Sequence, residues 1–141
     1  MIKAETQVIK TPYYLFLILP LILFISAVLL KDIQGPYYLF FYDPSYVYMI
    51  SSLNLAQFSG YGVGHFDHPG TTVQVIGAAS MKIYHAFTGH GKELTEDVLT
   101  NPESYLHLMN RVFVTLNCML LFITGIFIYK VTKSKITAML I

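Results

Sequence analysis

The chain has 141 residues, of which 55% are hydrophobic, 15% aromatic and only 12% charged, and its mean hydropathy is +0.56. Soluble domains carry charge on about a quarter of their residues, so this balance excludes an ordinary soluble domain and favours immersion in a membrane. A formal net charge of +1 with no basic block gives no support for a nucleic-acid partner, and a lone Cys118 excludes an internal disulfide.

Residues 1–12 form a short polar start carrying Lys3 and Lys10 against Glu5. Residues 13–30 then run apolar, interrupted only by Pro20 and Ser26. At 1.5 Å per residue this stretch matches the ~30 Å hydrocarbon core of a bilayer and reads as a first transmembrane helix. A proline is tolerated there because neighbouring helices can satisfy the carbonyl it frees. A cleaved signal peptide would have a shorter apolar region and a small-residue cleavage site, and neither is present.

Residues 31–104 hold every acidic residue except Glu5 and every histidine except His107, with no run long enough to span. Asp43-Pro44 is a helix-start signal, an N-cap followed by proline at the first helical position. The helix it opens is predicted over about 44–58, with Tyr46, Val47, Ile50 and Leu53 as its apolar stripe. A second helix is predicted over about 71–88, capped by Thr71 or Thr72, with Val75, Ile76, Ala79, Ile83 and Phe87 as its stripe. Both suit helices lying along a membrane face; the alternative is the core of a small extramembrane domain. Gly60-Tyr61-Gly62-Val63-Gly64 lacks the strand, lysine and following helix of a phosphate loop and reads as a hinge. Residues 92–104 read as a solvated connector.

Asn101-Pro102 starts a further helix, whose spanning part is assigned to 105–129. Lys130, Lys133 and Lys135 follow it at once. With two crossings these lysines fall on the same side as Lys3 and Lys10, so the positive-inside rule places both ends of the two-helix unit in the cytoplasm. The loop of residues 31–104 is then extracytoplasmic. The closing run Ile136 to Ile141 reads as the start of a third transmembrane helix, and residues 130–141 as a cytoplasmic turn leading into it. The expected fold is therefore an all-α membrane protein, with two transmembrane helices flanking an extracytoplasmic loop that holds two membrane-parallel amphipathic helices. On that expectation the chain is an N-terminal fragment of a bacterial inner-membrane or endoplasmic-reticulum-type protein.

Few residues can carry chemistry. Asp43 reads either as a helix cap or as a general base held at the membrane surface. His65, Asp67 and His68 sit in one short turn; they can face a phosphate, or the two imidazoles and the carboxylate can bind a divalent metal. The spacing is too common to fix a metal, and no other cofactor is implied. Arg111 reads as a snorkelling side chain or as a clamp on a lipid phosphate. His85, His90 and His107 read as surface residues.

The order of these features resembles the N-terminal part of GT-C-type integral membrane glycosyltransferases, such as protein O-mannosyltransferases and lipid A aminoarabinose transferases. Asp43 stands where that family has its catalytic aspartate, shortly after the first helix. His68-Pro69 is similar to the family's basic residue and proline before the second parallel helix, and Leu108-Met109-Asn110-Arg111 to the entry into its second spanning helix. Gly70 replaces a second proline, and Pro44 follows Asp43 where the family has a second acidic residue. The resemblance implies transfer of a sugar from a polyprenyl-phosphate donor to a hydroxyl of an acceptor glycan, lipid or protein. It implies Asp43 as base, with His65, Asp67, His68 and Arg111 about the donor phosphate. The alternative is a non-catalytic two-helix membrane protein whose loop binds a partner or a metal ion.

Overall fold

The computed structural model describes residues 13–39, 45–57, 70–88 and 91–140. Every regular element among them is helical, with no strand. A 3₁₀ turn, Tyr13–Leu17, leads into α1 (Ile18–Gln34), and a second, Tyr37–Leu39, follows it. Then come α2 (Ser45–Ala56), α3 (Gly70–Thr88), α4 (Leu94–Thr100), α5 (Pro102–Thr132) and α6 (Lys135–Met139).

Two stretches, Tyr13–Gln34 and Pro102–Thr132, are long and apolar enough to cross a membrane. Only 11% and 6% of their most apolar windows are buried, whereas a core helix of a soluble protein would be mostly covered. A 31-residue α5 spans about 46 Å at 1.5 Å per residue, more than a bilayer core needs.

The chain divides into two compact units, Met1–Ser26 with Leu116–Ile141, and Ala27–Thr115. The division falls inside α1 and α5, so the end of α1 and the start of α5 belong with the central region rather than with the apolar spans. In the first unit the buried Phe16 ring lies 5.4 Å from Tyr129 and 6.2 Å from Tyr13. Cys118 Sγ donates to the Pro20 carbonyl at 3.2 Å. Lys133, in the left-handed region at φ 57, breaks the chain after α5 while its N–H donates to the Tyr129 carbonyl at 2.9 Å. Ser134 then caps α6, its Oγ accepting from the Thr137 N–H.

The second unit packs around Tyr37, Met49, Leu53, Met81, Val98, Tyr105, Leu106 and Met109. In α2 and α3 part of each apolar stripe faces outward. In α2 the buried residues are Met49, Ser51, Ser52, Leu53 and Ala56, while Val47 and Ile50 are exposed. In α3 they are Gln74, Gly77, Ala78 and Met81, while Val75, Ile83 and Phe87 are exposed. Gly77 and Ser52 bring the two backbones close at one point, and Met49, Leu53 and Met81 fill the rest of the buried face. Gly77 is the tightest point. A Cβ there would lie 2.3 Å from Ser52 Oγ and 2.9 Å from Ser52 Cβ.

The connector of residues 92–104 is also more ordered than its polar composition predicts. It contains α4, whose Val98 is fully buried. Glu96 and Asp97 occupy its first turn, where the helix dipole favours negative charge.

Gly77→Ala should destabilise the central unit by about 1–3 kcal/mol through overpacking. Placing it on a Ser52→Gly background should recover most of that loss. Thermal unfolding in detergent, followed by circular dichroism, measures both; equal losses in the single and double variants would contradict this packing.

Candidate functional site

Glu103 lies in the first turn of α5. Its Oε2 accepts from the Tyr37 N–H at 3.0 Å, and its Oε1 accepts from the Tyr38 N–H at 3.2 Å and from the Tyr46 hydroxyl at 2.9 Å. One carboxylate thus ties the turn after α1 and the start of α2 to the head of α5. Burial, then the hydrogen bond to Glu103, pushes the Tyr46 hydroxyl above its ordinary pKa.

The Tyr37 ring fixed in this way carries contacts on two sides. His107 meets it edge-on at 5.3 Å between centroids, and Lys31 Nζ stands 3.3 Å from the ring centre. A cation over an aromatic face is attracted by the ring quadrupole. The same ammonium donates to the Gly35 carbonyl at 3.1 Å, at the C-terminal end of α1, where positive charge complements the helix dipole. Lys31 is 9% exposed.

Beside Lys31 lies a cavity of about 240 Å³ lined by Lys31, Gln34, Tyr37, Ser45, Tyr48, Val73, Leu106, Met109, Asn110 and Phe113. Its chemistry is mixed. An ammonium, two carboxamides and hydroxyls can bind an anionic or hydroxylated group, and an apolar wall can cover a hydrocarbon chain. A second cavity of about 370 Å³ is lined by Lys31, Asp32, Gly35, Pro36, Tyr38, Glu103 and His107, so Lys31 borders both.

A third hollow, on α3, α4 and α5, gathers Tyr84, Thr88, Asp97, Asn101, Ser104 and Tyr105. The buried Tyr105 hydroxyl donates to Asp97 Oδ2 at 2.5 Å, and Asn101 Nδ2 donates to Oδ1 at 3.1 Å. The Tyr105 hydrogen bond, aided by that from Asn101, holds the Asp97 carboxyl below its ordinary range despite the opposing effect of burial.

Asp43, His65, Asp67 and His68 lie outside the described residues. Ser45, two positions after Asp43, lines the first cavity, as does Val73 in the first turn of α3, which follows the histidine turn. Gly70 has φ 63, a value that proline cannot adopt. Arg111 is exposed and does not line either cavity; its carbonyl accepts from Thr115 Oγ1. Its neighbour Asn110 faces the first cavity instead. No group of three metal-binding side chains occurs among the described residues. His85 and His107 are half-buried rather than surface residues: His85 Nε2 meets the Lys92 carbonyl at 3.0 Å, and His107 packs on Tyr37.

Sequence reasoning missed Lys31 and Glu103. A lysine at the end of an apolar run reads as a snorkelling anchor, and a glutamate after proline reads as a favourable dipole charge. Only the tertiary contacts with Tyr37 separate these residues from such defaults. Comparison of the chain with known protein families, characterised proteins and solved structures finds no match.

Two outcomes follow. Glu103→Gln leaves too few acceptors for three donors, at a cost of about 1–3 kcal/mol. Amide exchange at Tyr37 and Tyr38 should accelerate about tenfold or more; unchanged exchange would contradict the clamp. The depressed Asp97 carboxyl contributes stability that is present above its unfolded pKa of about 3.9 and is lost as pH falls through the lower folded value. Carboxyl NMR should find Asp97 titrating below that reference, and Tyr105→Phe should bring it back toward it.

Proposed function

We propose that this chain is the N-terminal part of a membrane glycosyltransferase of the GT-C type, which moves a sugar from a polyprenyl-phosphate donor to an acceptor hydroxyl on the extracytoplasmic face. The observation that supports this best is the first cavity. A phosphate-competent ammonium and neutral hydrogen-bonding groups stand beside Val73, Leu106, Met109 and Phe113. A polar head joined to an apolar tail needs that combination. The cavity also stands at Ser45, next in chain order to the Asp43-Pro44 turn that carries the resemblance.

The outward apolar stripes of α2 and α3 support an interfacial position. Exposed Val47, Ile50, Val75, Ile83 and Phe87 would cost free energy in water and gain it in the acyl boundary. The lysines at 130, 133 and 135 support cytoplasmic ends for the two spans, and α6 is then the beginning of the chain's return to the membrane.

In this reading the acceptor oxygen attacks the anomeric carbon as the bond from that carbon to the phosphate oxygen breaks. The acceptor proton passes to the Asp43 carboxylate, and the electron pair of the broken bond leaves with the polyprenyl phosphate. His65 and His68 stabilise the departing anion, and Asp67 orients an imidazole. Arg111, exposed beside Asn110, is a phosphate contact only for a group that approaches from outside the cavity.

Asp43→Asn in the whole gene product should lower sugar transfer by roughly 100-fold or more while leaving membrane insertion unchanged. Radiolabelled sugar transfer in membranes measures it. Transfer at the wild-type rate would reduce Asp43 to a helix cap. A wild-type protein that binds the donor lipid without transferring its sugar would favour the non-catalytic reading.

A further inference from the structure

We propose that the hollow shared by α3, α4 and α5 is a binding site for the ammonium group of a small, water-soluble primary amine. Tyr84, Thr88, Asp97, Asn101, Ser104 and Tyr105 line a cavity there of about 280 Å³. All six belong to the central unit, and none of them lines the first or second cavity. The inference goes beyond the transferase reading and does not rest on it.

The chemistry follows from where the protons of these side chains go. The Tyr105 hydroxyl donates to Asp97 Oδ2, and Thr88 Oγ1 donates to the Tyr84 carbonyl. Asn101 Nδ2 donates to Asp97 Oδ1 and to the Asp97 carbonyl. These donors are consumed inside the protein, so the hollow has chiefly acceptors left to offer. They are the second lone pairs of both Asp97 oxygens, Asn101 Oδ1 and the Thr88 hydroxyl oxygen. Asp97 is half-buried and Asn101 and Ser104 are exposed, so a ligand can reach them. A ligand that fits must bring donors.

An ammonium brings three donors together with the charge that a carboxylate favours. Each Asp97 oxygen already accepts one bond, which hampers the two-point grip of a guanidinium but not a single contact to a compact ammonium. Tyr84 stands edge-on to the buried Tyr105 at 5.4 Å between centroids and adds an aromatic wall that attracts a cation. His85 and Lys92 are near enough to Asp97 to help keep its carboxyl ionised, but neither lines the hollow, and His85 Nε2 meets the Lys92 carbonyl. No aliphatic side chain is among the described residues that line it, so, unlike the first cavity, it has nothing to cover a lipid tail. The amine it takes is therefore one dissolved in water.

The test uses the full chain in phosphatidylcholine nanodiscs, whose headgroups carry no N–H donor. n-Butylammonium is titrated while the Asp97 carboxyl and the Asn101 side-chain amide are followed by NMR. Both resonances should move saturably, with a Kd of about 1–10 mM. Tetramethylammonium, which has the charge without N–H donors, and n-butanol, which has the chain without the charge, should each bind at least about tenfold more weakly. Asp97→Asn should weaken n-butylammonium binding by about tenfold or more, read at the Asn101 amide. Ser104→Leu fills the hollow from an exposed position and leaves the Asp97–Tyr105 hydrogen bond in place, so it should abolish binding with helicity retained.

No saturable response up to about 50 mM n-butylammonium would overturn the site. So would wild-type affinity in Ser104→Leu, which would put the amine elsewhere, or an equal response to tetramethylammonium, which marks unspecific screening of Asp97. Methyl glucoside binding more tightly than n-butylammonium would overturn the ammonium class in favour of a neutral polyol. Phosphatidylethanolamine added to the nanodisc should leave both resonances unmoved; competition with n-butylammonium from that lipid would overturn the water-soluble source. The readout is binding without sugar transfer, so loss of the transferase reading leaves this site standing.

Discussion

The central unit depends on one carboxylate. Glu103 gathers two backbone N–H groups and the Tyr46 hydroxyl, so three segments far apart in sequence converge at the head of α5. A carboxylate at a helix N-terminus is already favoured by the dipole, and here the same group accepts from two N–H groups of the turn after α1. Tyr37 takes its place from this clamp, Lys31 takes its place from Tyr37, and the mixed cavity has Lys31 in its wall. The site is therefore only as well ordered as the Glu103 contacts.

A second constraint sets which surfaces remain apolar. Gly77 against Ser52 allows α2 and α3 to approach more closely than larger residues would permit. Met49, Leu53 and Met81 fill the rest of the buried face, while Val47, Ile50, Val75, Ile83 and Phe87 line the outside. In water this arrangement forfeits hydrophobic burial, whereas in lipid the outer side chains lose nothing by facing hydrocarbon. The exposed spans Tyr13–Gln34 and Pro102–Thr132 follow the same logic.

Much of the helical framework was legible in the sequence because length, proline and glycine positions act locally. Asn101-Pro102 marked the start of α5, and the apolar run from residue 13 marked α1 with its preceding 3₁₀ turn. The apolar stripe of α3 was legible as spacing, and Val75, Ile83 and Phe87 face outward, as a helix lying along a membrane face would present them. Residues 94–100 were missed as a helix because their polar composition hides a single buried anchor, Val98. For the site, Asp43 and the histidine turn rest on motif order, which lies outside the described residues. Glu103 required contacts that no local pattern encodes, joining positions more than sixty residues apart, and Lys31 is set by the Tyr37 that those contacts place. The resemblance and the cavity are thus independent supports for the same proposed chemistry.

That the mixed cavity holds the lipid-linked donor is the central claim, and photo-crosslinking tests it most directly. A polyprenyl-phosphate-linked sugar bearing a diazirine on the isoprene unit next to the phosphate would be irradiated with the reconstituted protein and the adducts mapped by mass spectrometry. The account predicts adducts concentrated on Val73, Leu106, Met109 and Phe113, displaced by excess unlabelled donor. Adducts confined to the exposed Ile123, Phe127 and Val131, insensitive to competitor, would contradict it.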